Sequence, residues 1–147
     1  MTRGRRPTKA LAEAVGIAGR RGCVEMASGR CCRAFDFIIP EKFRVVFVKV
    51  KRSQTAFTYP QEALFKYERE IASLHRVALT QATAREFWVR SPSGKWQYFL
   101  IRHDSITEVQ ADGRYIPREA LPLESADLSE KPPDANYNSD SLSGSGK

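Results

Sequence analysis

Two short hydrophobic runs carry charges in places where charge is costly. Phe35-Asp36-Phe37-Ile38-Ile39 sets an aspartate inside a strand-like stretch, and Phe47-Val48-Lys49-Val50-Lys51 sets two lysines in another. Aspartate is a poor strand former, and a buried carboxylate needs a partner. Side chains alternate along a strand, so Lys49 and Lys51 share a face with Val45 and Phe47. A turn centred near Lys42–Phe43 sets Asp36 opposite Lys49. One carboxylate and two amines then converge at one end of a sheet. Such a group serves either as a functional site or as a structural ion pair, and the pattern alone leaves both open.

The elements that must position this cluster follow from periodicity. Leu11, Ala14, Val15 and Ala18 recur at helical spacing, with Thr8 as N-cap and Gly19 as the stop. Cys23–Ala27 reads as a short strand, and the two charged runs form a hairpin around Pro40-Glu41-Lys42. Thr58-Tyr59-Pro60-Gln61 resembles a capping box that opens one long helix with a stripe of Leu64, Tyr67, Ile71, Leu74 and Ala78. Glu86–Arg90, Trp96–Arg102 and Ile106–Val109 follow as a β-meander, turned by Ser91-Pro92-Ser93-Gly94 and His103-Asp104-Ser105. The fold class expected is α/β, a mixed β-sheet flanked by helices with a C-terminal β-meander.

The 147 residues allow one domain of ordinary size, and 41% hydrophobic residues can build its core. Three parts are expected: a basic arm at 1–6, a folded domain at 7–117, and a Ser/Pro-rich tail at 118–147 too poor in apolar residues to order itself. Thirteen basic and four acidic residues in 1–53 give +9 of the chain's net +7, the tail being acidic. This excess points to a polyanion partner, with Arg3, Arg5, Arg6, Arg20, Arg21, Arg30 and Arg33 as the expected phosphate contacts. No run approaches the roughly 18 apolar residues of a membrane helix. The basic N-terminus is followed by no signal-like apolar stretch. Cys23, Cys31 and Cys32 suit a reducing cytoplasm, and none has partners at zinc-ligand spacing.

The order helix, strand, Asp-bearing strand, valine-rich strand ending in Lys49-Val50-Lys51, then helix, resembles the PD-(D/E)XK nuclease superfamily. Within it, the small archaeal Holliday junction resolvase-like proteins are the most similar. The likeness covers about residues 8–90, and Ala27-Ser28-Gly29-Arg30 is similar to the small-residue loop that precedes the family's aspartate. It implies a restriction-endonuclease-like fold, DNA as partner (branched DNA included), a homodimer, and hydrolysis of phosphodiesters with Mg²⁺ or Mn²⁺. Residue by residue, Asp36 matches the metal-binding aspartate and Lys51 the catalytic lysine. Lys49 stands where the family has Glu or Gln, and there it removes an oxygen ligand and repels a cation. The metal shell implied is Asp36 with the Val50 carbonyl, completed by Glu13 on the first helix or, less well placed, Glu25. Two functions follow. The first is a metal-dependent endonuclease, with Lys51 offsetting transition-state charge. The alternative is a non-catalytic nucleic-acid-binding or assembly module that keeps the fold, with Asp36 paired to a lysine.

Other residues weigh less. His75 borders the helix stripe, and His103-Asp104 falls in a turn. On the Trp88/Trp96 hairpin, Phe87, Val89, Phe99 and Ile101 face the core, and Trp88, Arg90, Trp96 and Tyr98 share the other face. Those aromatics either stack unpaired bases or pack across strands. Deleting residues 125–147 is expected to leave the melting temperature nearly unchanged, since that segment offers no periodic apolar face. A drop of several degrees in a thermal melt would show that the tail docks.

Overall fold

Along Val45–Arg52 every second residue, Val46, Val48 and Val50, is a buried valine packed in the α1 layer, which makes this strand the spine of the molecule. The structure is a computed structural model that describes residues 8–28 and 34–116. The arm at 1–6, Arg30, Arg33 and the tail at 118–147 lie outside the described residues. Helix α1 (Thr8–Ala18) leads to β1 (Glu25–Met26), β2 (Phe37–Pro40) and β3 (Val45–Arg52). Helices α2 (Pro60–Lys66) and α3 (Glu68–His75) follow, then β4 (Thr83–Arg90), β5 (Trp96–Ile101) and β6 (Ile106–Val109). The strands form one sheet in sequence order; β3 and β4 are parallel and every other neighbouring pair is antiparallel. This is the expected mixed α/β sheet with its C-terminal meander.

Parallel strands need a crossover, and α2–α3 supplies it. On one face, Ala10, Ala14 and Ala18 bring α1 close against Phe37, Ile39, Val46, Val48, Val50, Ala84 and Trp88. On the other, Ala63, Ile71 and Leu74 cover Phe87, Val89, Phe99 and Ile101. Burying a side chain of Leu or Phe size contributes about 1.5–3 kcal/mol, so these two layers hold the sheet.

Two expectations about the helices are corrected, and one left open is decided. The single long helix is two, because Tyr67 leaves helical geometry at φ −117°, ψ 34°. Its hydroxyl donates to the Arg52 carbonyl at 2.7 Å, and its ring packs 5.3 Å from that of Phe87, an anchor that bends the chain. Leu64 is not in the buried stripe, where fully buried Ala63 takes its place, and Ala78 is exposed beyond the helix end at His75. The aromatic face of the Trp88 hairpin divides as expected, but Trp88 is fully buried beneath α1, its Nε1 donating to Glu86 at 2.8 Å. Cross-strand packing therefore explains Trp88, whose ring meets that of Tyr98 edge-on at 4.9 Å.

Arg21, expected among the phosphate contacts, is committed to the interior. Its two terminal nitrogens donate to the Glu86 carboxylate at 2.8 and 2.9 Å, and its Nε donates to Glu41 at 2.9 Å. Arg44 holds the other Glu41 oxygen at 2.7 Å. Gly113, at φ +80°, lies against this cluster: a Cβ there would sit 2.7 Å from Arg21 Nη2. Glu86 is fully buried, so removing its cation leaves a stranded charge. Arg21→Ala should cost about 3–5 kcal/mol, read as a lower urea midpoint. A change under about 1 kcal/mol, the range of exposed pairs, would show that the cluster is peripheral.

Candidate functional site

The site forms where β2 begins and β3 ends. The tight turn closes with Glu41 N–H on the Arg44 carbonyl at 2.8 Å, so Phe37 pairs with Val48 and Asp36 falls opposite Lys49, the register expected. Asp36 keeps its main chain in the ladder, its N–H donating to the Val48 carbonyl at 2.8 Å and its carbonyl accepting from Ala27 at 3.0 Å. The carboxylate is fully engaged. Oδ2 accepts the Val50 N–H at 2.8 Å, and Oδ1 lies 3.3 Å from Lys49 Nζ. The side chain thus stands in for the next main-chain carbonyl of a strand that has run out, and a lysine neutralises it.

One row further, Lys51 Nζ binds Glu70 Oε1 at 2.7 Å. Burial pushes the Glu70 carboxyl up, but the Lys51 hydrogen bond and charge, with Lys49 beyond, more than offset this and hold it below the ordinary 4.5. Glu70 was not singled out by sequence reasoning. The available signal was its place three residues after Tyr67 and four before Leu74, on the edge of the buried stripe and on the face that meets Lys51. Beyond Lys51, the exposed Arg52 closes the strand, and Lys66 Nζ reaches Ser53 Oγ at 3.1 Å while lying over the Phe57 and Tyr67 rings at 5.6 and 5.8 Å. Lys49, Lys51 and Lys66 are thereby gathered with Asp36 and Glu70 at the C-terminal end of the parallel pair, where open α/β sheets bind ligands, while Arg52 ends the same strand with the parity of the α1 face.

The remaining expected ligands do not join this group. Glu13 lies on the α1 face of the sheet, where its Oε1 accepts from Arg90 Nη2 at 3.1 Å and the guanidinium holds its carboxyl below the ordinary range. Glu25 pairs with Ile38 on the exposed edge strand β1, on the Asp36 side of the sheet. Val50 meets Asp36 through its amide, not its carbonyl. Arg20 is exposed just after α1; Arg3, Arg5, Arg6, Arg30 and Arg33 lie outside the described residues. Burial, Arg85 and His103 together hold the His75 imidazole below its ordinary pKa, away from the cluster's chemistry.

The implied Mg²⁺ or Mn²⁺ can be tested against these donors. Such ions take hard oxygen ligands in near-octahedral array. Here one carboxylate has an amide on one oxygen and an ammonium on the other. No group of three or more His, Cys, Asp or Glu side chains that could hold a metal ion occurs among the described residues. The residues present do not fit the cation.

No family model matches the chain, and no curated protein matches it. Among solved structures it is similar to Hjc, a Holliday junction resolvase from the archaeal hyperthermophile Archaeoglobus fulgidus, at a TM-score of 0.46 and 12% identity, over 70% of this chain and 87% of that one. No helix among the described residues is long and apolar enough to cross a membrane.

The Lys51–Glu70 pair has a pH signature. Glu70 titrates lower in the fold than in the unfolded chain, so its stabilisation is present above about pH 4.5 and is lost as pH falls through the folded value. In Lys51→Met the depression disappears, and acid unfolding followed by circular dichroism should begin at higher pH than in the wild type. Glu70→Gln should flatten that part of the acid limb. Identical acid curves for all three proteins would remove the pair from the account.

Proposed function

We propose that this chain is a nucleic-acid-binding protein, built on a nuclease-like frame, whose acid–lysine cluster grips phosphate without hydrolysing it. The observation that carries this reading is the Asp36 carboxylate, closed by the Val50 amide and the Lys49 ammonium where a metal-dependent nuclease would hold its cation. Of the two functions that the sequence leaves open, the non-catalytic one follows. The cationic side chains at the end of β3 supply the attraction for a phosphate backbone, and the arginines of the N-terminal arm would extend it. DNA is the partner this favours, and branched DNA is the form that the nuclease-like arrangement suggests testing first.

Three points of chemistry support the reading. Lys49 supplies an amine without a metal, and it is paired with the Asp36 carboxylate at 3.3 Å with both side chains about one-seventh exposed. Lys51 is oriented by Glu70, so its position is preset. Arg52, exposed at the strand's end, needs no rearrangement to meet an anion.

The test is an assay of junction, flap and linear DNA, with Mn²⁺ and with EDTA at matched ionic strength. Binding should be equal in both conditions, should fall steeply with salt, and should yield no cleaved product. Asp36→Asn should leave binding in place. Cleavage that requires Mn²⁺ and is lost in Asp36→Asn would restore the endonuclease reading. A second measurement is calorimetric titration of Lys49→Glu with Mn²⁺, which should show destabilisation and no gain in metal affinity, because two carboxylates then crowd one amide.

A further inference from the structure

We infer that the α2 surface beside the basic strand end is a stacking platform for unpaired bases, so that the nucleic acid bound here is one with single-stranded segments. This rests on the nucleic-acid reading above and adds the form of strand that it takes.

Three large apolar side chains stand out of the core within seven residues: Tyr59 is 63% exposed, Leu64 38% and Phe65 91%. A single exposed phenylalanine needs no explanation. Here, however, the helix is one that the fold ties directly to the cations. Lys66, the neighbour of Phe65, hydrogen-bonds Ser53 at 3.1 Å, and Tyr67 hydrogen-bonds the Arg52 carbonyl at 2.7 Å. The last turn of α2 is therefore tied to the end of β3, and Phe65 directly precedes the lysine that makes the tie. The core does not require Phe65 to be aromatic, because Ala63, Ile71 and Leu74 make the contacts of this layer.

Charge selects the occupant. An apolar protein partner on α2 would have to desolvate Lys66, with Lys51 at the same strand end. A nucleic-acid strand satisfies both features together, with phosphates on the cations and base faces on the rings, the combination used by single-strand-binding surfaces. Duplex bases are already stacked on one another and cannot lie on Phe65. The cations serve both kinds of strand, so the ring sets the preference between them.

The experiment uses the full chain, with fluorescence anisotropy on a labelled oligothymidylate and on a duplex of equal length, in EDTA. Phe65→Ala should weaken oligothymidylate binding about tenfold more than duplex binding, and Phe65→Trp should keep the wild-type preference. Arg52→Ala should weaken both ligands together. Equal effects of Phe65→Ala on the two ligands, or none, would overturn the platform while leaving nucleic-acid binding intact. Failure of the wild type to bind either ligand would overturn the nucleic-acid reading and this one with it. If sedimentation shows that Phe65→Ala converts a dimer to monomer with the strand preference unchanged, the patch joins two copies of the chain and the platform is refuted. Because Phe65 is almost wholly exposed, its loss should not disturb folding, and a thermal melt alongside verifies this.

Discussion

Parallel strands cannot be joined by a tight turn, so once β3 and β4 pair in parallel the chain between them must travel the length of the sheet and return. That requirement produces α2 and α3, and laying them across one face forces α1 onto the other. It also decides which side chains meet. The even residues of β3 point to α1 and are valines as far as Val50, with exposed Arg52 at the end; the odd ones point to the crossover and end in Lys49 and Lys51. Glu70 reaches Lys51 because α3 descends over that end of the strand, and Tyr67 reaches the Arg52 carbonyl for the same reason. The kink at Tyr67, the ion pair at Glu70 and the exposed last turn of α2 are consequences of one crossover held at one strand end.

Two adjacent residues of β4 show how this sheet handles buried charge. Glu86 and Arg85 are each almost completely buried, and strand alternation sends them to opposite faces. Glu86 has a full set of donors from Arg21 and Trp88. Arg85 instead leans on main-chain carbonyls of Ile101, His75 and Val77 at 3.3–3.4 Å, with its Nη2 unpartnered among the described residues. It closes the C-terminal end of α3, where carbonyls lack helical partners and a cation is favoured. The carboxylate side is tightly satisfied and the guanidinium side only loosely.

Much of this was legible in the residues. The hairpin register followed from the turn position, and with it the Asp36–Lys49 pairing, because alternation leaves no latitude once the turn is located. The division of Phe87, Val89, Phe99 and Ile101 from Trp88, Trp96 and Tyr98 followed in the same way. Partners distant in sequence were not legible. Arg21 reads as one more arginine in a basic half, and only the fold shows that it lies beneath Glu86, 65 positions away. Glu13 was placed by likeness to a family, whereas its position one residue before Ala14 sends it to Arg90 on the opposite side of the sheet. The helix break was hidden because Tyr67 fits the apolar stripe, and its hydrogen bond to a strand carbonyl is a tertiary event that local propensity does not encode.

The proposed function, with an ammonium in place of a metal ion, has a thermodynamic side. A site that depends on a divalent cation binds phosphate only as tightly as the ion is available, because ion binding and phosphate binding are linked. Lys49 is covalently present, so its charge is there at every metal concentration and brings no loss of hydration shell beyond its own. The cost is chemical. An ammonium offsets phosphate charge, but it does not generate a hydroxide as a bound divalent ion does by lowering the pKa of its water. Under the proposed function, constant grip and absent hydrolysis would therefore be two results of one substitution of cation type, and the Val50 amide would reinforce both. It holds Asp36 in the strand ladder, where turning the carboxylate toward a metal would break a 2.8 Å hydrogen bond and leave a main-chain donor unsatisfied at the end of a buried strand.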